Sequence, residues 1–263
     1  MRCIYLDAMS RMKSNYIKKL SEEGKREDSR NAFDFRDIKI IKGLIDHAEG
    51  SAQVDIGDTR VIAGVKMVVE SPHEDTPNEG NLVVSVTILP MAATEYESGP
   101  PSPEEIELSR VTDRGIRSAV SIDPASLFIE EGKVWSVYVD VYVLNYSGNM
   151  LDAASIAAMA ALVNARVPEY KDGSVNYEKR DKKLNIKNIV TSTTFAKIGS
   201  SLFLDPNENE ESAMDARLTV QVDDKEIRAM QKGLPGSFTM DEINKLIDVS
   251  FDKHKELKEL IMK

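Results

Sequence analysis

The chain has 263 residues and a formal charge of −10 at pH 7, with 41% hydrophobic and 30% charged residues. These values are typical of a folded globular protein, and they exclude nonspecific DNA binding driven by overall charge. Cys3 is the only cysteine and there are three histidines. An internal disulfide and a Cys/His zinc cluster are therefore excluded, and we expect a cytoplasmic location.

The N-terminal segment lacks the continuous apolar core of a signal peptide, and no stretch of the sequence reaches membrane-spanning length. Apolar side chains recur there at helical spacing, which predicts an amphipathic helix that packs on the domain or on a partner rather than on a membrane. These side chains are Ile4, Met9, Met12, Tyr16 and Leu20. We assign residues 1–24 to this helical extension.

Strands are predicted for the part of the chain that follows. Residues 60–69 and 81–89 are rich in β-branched side chains and are separated by a loop containing Pro, Asn and Gly. The clearest strand is 133–144, where alternate residues form one wholly apolar face, which we expect to cover a core. That face consists of Trp135, Val137, Val139, Val141 and Val143.

The second half of the chain predicts a helix, more strands and a closing helix. An alanine-rich helix follows the turn at residues 147–149, and the polar stretch 170–183 is expected to form a hairpin or loop. Four further strands are expected, near residues 186–197, 201–204, 214–222 and 225–231. Thr239 and Glu242 form a capping box at the start of the last helix. This order predicts an α/β (α+β) fold with two lobes, mixed sheets and packed helices.

One predicted helix carries an unusual arginine stripe. Ser102, Pro103 and Glu105 form a capping box with proline at the first helical position, so a helix is expected over residues 103–120. At about 100° per residue, Arg110, Arg114 and Arg117 lie within roughly 60° of one another. The opposite side is apolar or small and consists of Leu108, Val111, Gly115 and Ala119.

Two interpretations of the stripe are open from spacing alone. Glu107 stands three residues before Arg110 and Asp113 four before Arg117, so the arginines could form ordinary solvated ion pairs. The alternative is a cationic surface that binds a polyanion. The second interpretation needs support from elsewhere in the sequence.

That support is a family resemblance. The segment "GSAQVDIGDTRVIAGVKM" (residues 50–67) resembles the opening β-hairpin of the RNase PH superfamily. "IELSRVTDRGIRSA", "VWSVYVDVYVLNYSGNMLDAASIAAMAAL", "DPNENEESAMDARLTV" and "MQKGLPGSFTMDEI" extend the likeness, in order, over roughly residues 25–260. Within the superfamily, the combination is similar to the non-catalytic RNase PH-type ring subunits of the archaeal exosome.

The resemblance implies a two-lobed βαβα fold, with an N-terminal lobe at about residues 25–165 and a C-terminal lobe at about 184–263. It also implies a ring in which three copies alternate with three copies of a catalytic paralogue, together with RNA-binding cap subunits. Single-stranded RNA would pass through the channel and be shortened from its 3′ end by phosphorolysis. By motif position Arg110 and Arg114 would line the RNA path; Arg117 shares their face, and we include it as a candidate RNA contact.

Catalytic parts that the family requires are missing. Phosphorolysis needs cationic or donor groups for phosphate and carboxylates for a divalent ion. The turn "YSGNMLDAA" contains no arginine or lysine, and Asp152 within it is expected to repel phosphate. Of two aspartates that active relatives carry six residues apart, Asp215 matches the second, while Asn209 stands at the first. We therefore expect no catalytic residue, metal or cofactor in this chain, with phosphate and Mg²⁺ bound by the partner.

The other candidate catalytic residues have little support from the sequence. Glu208, Glu210 and Glu211 could supply a shifted carboxylate but fit a solvated acidic loop better. The three histidines (His47, His73 and His254) lack a nucleophile elbow or catalytic partners. Two further functions stay open: a phosphate-dependent exoribonuclease that is active on its own, and a structural protein without RNA contact.

Overall fold

The structure, a computed structural model, describes residues 2–263 and the side chains of residues 12–263. The helices of this part of the chain are α1 (Arg2–Glu22), α2 (Pro103–Ser118), α3 (Met150–Asn164), α4 (Glu208–Ala213) and α5 (Met240–Met262). The strands are β1 (Ile38–Lys42), β2 (Gly50–Ile56), β3 (Thr59–Glu70), β4 (Asn81–Ile88), β5 (Phe128–Glu130), β6 (Lys133–Asn145), β7 (Arg166–Val167), β8 (Glu169–Lys171), β9 (Ser174–Asn176), β10 (Lys182–Lys183), β11 (Thr191–Ile198), β12 (Ser201–Leu204), β13 (Ala216–Val222) and β14 (Ile227–Gly233).

The first lobe is built on a six-stranded sheet. Its strand order is β1-β2-β3-β6-β4, with β5 paired to β6. All pairs are antiparallel except β4 and β6, which run parallel with Val83 opposite Tyr138. The predicted apolar face of β6 is buried, from Trp135 to Val143. The sheet is therefore mixed, and β4 is one of its edges.

The second lobe is a four-stranded antiparallel sheet in the order β12-β11-β13-β14. Helix α5 packs on it, with Leu246 against Phe195 and Leu218 in one buried cluster. The capping box of Thr239 and Glu242 that opens α5 is present as predicted. The predicted polar stretch folds as the β8–β9 hairpin together with the short β7–β10 pair.

Helix α3 lies between the two sheets. Every residue from Met150 to Leu162 is buried, and the helix packs on strands of both lobes. Small side chains permit this close approach: a Cβ added at Gly50 would lie 2.4 Å from the carbonyl oxygen of Ala161. The two-lobed mixed α/β fold expected from the sequence is confirmed.

The charged segment before β1 ties the lobes together. Arg26 and Glu210 form a buried ion pair, and Arg30 and Arg36 both bind the buried carboxylate of Asp205. Burial alone would raise the pKa of Asp205, but its hydrogen bonds and ion pair with Arg36 hold that pKa below the ordinary value. This segment thus contacts the second lobe, while the lobe boundaries near residues 25, 165 and 184 stay a prediction.

The N-terminal helix forms, but its predicted apolar face is wrong. Met12 and Tyr16 are exposed, whereas Ile17 is buried against Ile198 and Phe203. The side chains of Ile4 and Met9 lie outside the described side chains. The contact through Ile17 places α1 on the domain, as expected. None of the helices described between residues 2 and 263 is long and apolar enough to span a bilayer.

Candidate functional site

Local sequence signals position the arginine helix. Ser102 accepts a hydrogen bond from the backbone N–H of Glu105 (3.2 Å), and the Glu105 carboxylate accepts one from the N–H of Ser102 (2.7 Å). This capping box satisfies the free donors at the start of α2, and Pro103 follows at the first helical position. The helix begins where the sequence predicts and ends two residues earlier, at Ser118.

The arginine stripe is exposed and the opposite side of α2 is buried, as expected. Arg110, Arg114 and Arg117 are all exposed. The buried side includes Leu108, Val111, Gly115 and Ala119. The helix therefore presents its guanidinium groups outward, while its opposite side is buried against the rest of the protein.

The ion pair that would neutralise Arg110 does not form. Glu107 instead binds Arg217 of β13 at 2.5 Å. Among the described side chains Arg110 has no ion-pair or hydrogen-bond partner, and Arg114 has only a long contact of 3.5 Å with the amide oxygen of Gln231. These two guanidinium groups are available to bind an anion.

Arg117 has a different environment. It forms the predicted ion pair with Asp113 (2.8 Å). Three α2 side chains, spaced by multiples of four residues, also bond backbone groups of the edge strand β4. These pairs are Glu105 with the N–H of Ile88, Ser109 with the N–H of Val86 and Arg117 with the carbonyl of Leu82. The helix thereby protects a sheet edge that would otherwise offer free pairing groups.

A prediction separates the two roles. We expect Arg117→Met to lower the free energy of unfolding by about 1 kcal/mol, because it removes one backbone hydrogen bond and one exposed ion pair. Arg110→Met, which breaks no contact, should change it by less than about 0.5 kcal/mol. Urea denaturation of both variants measures this difference. Equal stabilities would show that the Arg117–Leu82 bond contributes nothing.

The turn after β6 contains an internal carboxylate rather than a phosphate-binding cation. Asn149 adopts a left-handed conformation (φ 54°) and caps α3. Its backbone N–H donates to the carboxylate of Glu211 at 2.9 Å, and the hydroxyl of Tyr146 donates to the same carboxylate at 2.7 Å. Because this helix start favours an anion, Glu211 satisfies it from within the chain. Burial raises the pKa of Glu211.

Asp152 is buried at the start of α3, and its repulsion of phosphate stays a prediction. Its carboxylate is fully buried and accepts hydrogen bonds from Asn149, Ser192 and Thr194. Burial raises its pKa to about 6. Asp152 therefore belongs to a polar network that joins the turn residue Asn149 to α3 and β11.

An acidic cleft of about 340 Å³ lies between α2, α4 and the start of α3. Five glutamates line it: Glu95, Glu104, Glu107, Glu208 and Glu211. Of its lining residues, all within the described part of the chain, Arg217 is the one cation, and it is paired with Glu107. Burial raises the pKa of Glu104. The electrostatics of this cleft oppose the binding of phosphate.

Asn209 and Asp215, which stand where active relatives carry two aspartates, bind different partners in the structure. The Asp215 carboxylate accepts from the N–H of Gly199 and from Lys18, and these contacts lower its pKa. The Asn209 amide instead donates to Glu27. No group of three or more His, Cys, Asp or Glu side chains within residues 12–263 is arranged to hold a metal ion. Asp215 and Asn209 therefore each bind partners within the chain.

The expected solvated loop at residues 208–211 is wrong. It is helix α4, opened by a capping box between Asn207 and Glu210. The Glu210 carboxylate is buried and forms an ion pair with Arg26. Glu211, expected in the same loop, accepts a hydrogen bond from the backbone N–H of Asn149 at the start of α3. The one available signal was the N-x-x-E spacing of a helix start at residues 207–210.

His254, one of the three histidines considered from the sequence, has a structural environment rather than a catalytic one. His254 is buried, with one ring nitrogen 2.8 Å from the hydroxyl of Thr191 and the other 3.3 Å from Asp224. Burial lowers its pKa. Since Thr191 is also fully buried, the group cannot reach a substrate. The geometry thus leaves an exposed arginine pair beside an acidic cleft.

Comparison with known proteins identifies the family to which this fold belongs. The sequence matches the 3′ exoribonuclease family (RNase PH), domain 1 over residues 34–168 and domain 2 over residues 188–253. The chain belongs to this family.

Within this family, the chain is similar to components of archaeal exosomes. The chain is 44% identical to exosome complex component Rrp42 of Thermoplasma acidophilum, covering 96% of each protein. It is 41% identical to the Rrp42 component of Thermococcus gammatolerans, covering 98% of this chain and 96% of that protein. Its structure superimposes on a chain of an Archaeoglobus fulgidus exosome with RNA bound to the active site, with a TM-score of 0.90, 38% identity and coverage of 96% and 98%.

Proposed function

We propose that this chain is an RNA-binding and structural subunit of an archaeal exosome ring, and that it does not cleave RNA by itself. Relatives named as exosome components match it along nearly its whole length. Chains of archaeal exosome structures share its fold, at TM-scores of 0.90 and 0.87. A ring subunit role follows from these likenesses.

The observation that carries the RNA-binding part is the pair of unneutralised arginines on α2. In a chain of formal charge −10, Arg110 and Arg114 are exposed while the nearest glutamate of their own helix, Glu107, is bound elsewhere. Guanidinium groups bind phosphate oxygens through charge-assisted hydrogen bonds. Contacts of this kind read the backbone, so little base preference is expected.

The acidic cleft supports a catalytically silent subunit. Five glutamates line the cleft beside the turn after β6, the turn that carries an arginine in active members according to the resemblance, and the Glu211 carboxylate accepts from the N–H of Asn149 at the start of α3. An anionic nucleophile attacking an anionic backbone requires the opposite charge there. These residues therefore weigh against an exoribonuclease that is active on its own.

The chemistry would then belong to a catalytic RNase PH-like partner that holds inorganic phosphate and Mg²⁺. Three copies of each would alternate in the ring, with RNA-binding cap subunits above it and single-stranded RNA in the channel. The acidic exterior is compatible with this arrangement because a narrow channel can focus the positive potential of a few arginines. A cytoplasmic location is part of the same proposal.

One assay tests the silent role. The purified chain, supplied with single-stranded RNA, inorganic phosphate and Mg²⁺, is expected to release no nucleoside diphosphate, whereas the ring assembled with the catalytic paralogue should release it. A ring assembled with a phosphate-site variant of the paralogue provides the control and should be inactive. Phosphate-dependent release by the isolated chain would contradict the proposal.

A further inference from the structure

The connection between α3 and β11 concentrates positive charge. Residues 166–187 contain seven lysines and arginines against four acidic residues, in a protein that is acidic overall. The β7–β10 pair places Arg166 opposite Lys183 and Val167 opposite Lys182. Like charges directly opposite each other on paired strands are destabilising. An anion bound between them would remove this cost.

The cations near this pair lack compensating carboxylates. Within the described side chains Arg166, Lys182 and Lys183 form no ion pair, and Arg166 donates only to the carbonyl of Asp181. Lys42, from β1, is close enough that its pKa is lowered, first by burial and then by the charge of Lys183. Three separate segments thus bring amines and a guanidinium to one surface.

This surface borders a cleft of about 330 Å³, which we call the lysine cleft. The lining includes Leu127, Phe128, Trp135, Lys182, Lys183 and Asn185. No carboxylate contributes to this lining, which lies wholly in the described part of the chain. Phe128 is 40% exposed, so its ring is accessible from the cleft.

Trp135 also lines this cleft, and the residue is 6% exposed. Its indole N–H is not one of the buried side-chain donors without a partner, so it keeps contact with solvent and can donate to a ligand. A ligand with oxygen acceptors, a negative charge and a flat apolar part would satisfy the indole, the lysines and the phenylalanine together.

The lysine cleft adjoins the arginine helix. Leu127 lines both the lysine cleft and a smaller apolar cleft of about 170 Å³ that also includes Arg117 and Val120. Val120, at the end of α2, has a positive φ of 47°, which is unfavourable for a β-branched residue, and its side chain is 44% exposed. The lysine cleft and the cleft beside Arg117 are therefore neighbours that share the buried side chain of Leu127.

We propose that the lysine cleft is a second binding site for single-stranded RNA, in which Lys182 and Lys183 bind phosphate, Phe128 stacks on a base and the Trp135 N–H donates to an acceptor of the same nucleotide. The combination of a cationic rim with an aromatic platform is the chemistry by which proteins bind single strands. The choice of RNA as the occupant rests on the proposed function of α2, because Leu127 lines both the lysine cleft and the cleft that contains Arg117. An acidic protein segment is the competing occupant.

The single tryptophan makes the site directly observable. Trp135 is the one tryptophan of the chain, so its fluorescence reports on this cleft without labelling. Oligouridylate added to the full-length chain is expected to change the Trp135 emission in a saturable manner. Lys182→Glu with Lys183→Glu should weaken this response at least about tenfold and lower the salt slope by about 1.4, at ~0.7 for each single-strand phosphate contact. Phe128→Ala should weaken it about fivefold or more, because one stacking contact is lost.

The controls separate this site from the arginine pair. Lys245→Glu with Lys255→Glu makes the same charge change on exposed positions of α5 and should leave the response unchanged. Arg110→Glu with Arg114→Glu should also retain it in the isolated chain, so a failure of the α2 assignment would be recognised separately, by RNA binding to the ring. A response to polyglutamate but not to oligouridylate would overturn the proposal in favour of a protein partner. An RNA response that the Lys182 and Lys183 changes leave intact would overturn it as well.

Discussion

Replacement of Arg110 and Arg114 by glutamate is expected to weaken RNA binding by the assembled ring about hundredfold at moderate salt. Each guanidinium would lose a charge-assisted contact worth about 1.5–3 kcal/mol, so two losses allow this effect even if RNA keeps its other contacts. The slope of log affinity against log salt should fall by about 1.4, since about 0.7 is expected for each phosphate contact on a single strand. Fluorescence anisotropy with a labelled oligonucleotide, repeated over a salt series, measures both quantities.

Matched variants show whether the effect is local. Lys245→Glu with Lys255→Glu changes the net charge equally and should alter neither affinity nor slope. Because Arg110 and Arg114 make no strong contact within the described side chains, the double variant should assemble with the paralogue at the wild-type mass. Unchanged affinity and slope in a correctly assembled ring would show that the arginine pair does not meet RNA.

The largest effect on stability is expected at Arg26. Its fully buried side chain binds Glu210 through two hydrogen bonds (2.8 and 2.5 Å) and donates to the carbonyls of Leu204 and Asp205. Arg26→Met would leave the Glu210 carboxylate buried without its cation, at a cost of about 3–5 kcal/mol. For a chain of this size the melting temperature should fall by about 10 °C. Chemical denaturation and calorimetry measure the two effects.

Lys25 provides the matched control, one residue away. It pairs with Glu23, but both side chains are more than half exposed. Lys25→Met should therefore leave the free energy of unfolding nearly unchanged. Addition of Glu210→Gln to Arg26→Met should restore part of the loss, because the unpaired charge is removed. A cost at Arg26 no greater than at Lys25 would mean that the buried pair does not hold the two lobes together.

Features with local causes could be predicted from the sequence. Helix α2 begins where Ser102, Pro103 and Glu105 specify a cap, and α5 begins at its own capping box. The alternation of β6 predicted its buried face because side chains on a strand point to opposite sides. The outward orientation of the arginine stripe followed from helical periodicity in the same way.

The partner of each charge could not be predicted, because it depends on which segments the fold brings together. Glu107 binds Arg217, 110 residues away, although Arg110 is near it on the same helix. Arg117 bonds β4 because α2 happens to run along a sheet edge. Glu211 lies in a polar segment and Asp152 in an alanine-rich one, and tertiary contacts turn both side chains inward. Among the described side chains of α1, the buried apolar residue is Ile17 rather than its neighbour Tyr16, a rotation of about 100° that weak periodicity does not resolve.

The most direct measurement is the structure of the ring, assembled from this chain and its catalytic paralogue, with single-stranded RNA bound. We predict that the guanidinium nitrogens of Arg110 and Arg114 lie about 2.7–2.9 Å from phosphate oxygens, the distance of charge-assisted hydrogen bonds. The phosphorolytic site should lie in the paralogue, with Glu211 still bound to the N–H of Asn149. Arginines that face the outer solvent, far from an RNA strand that is otherwise ordered, would contradict this account.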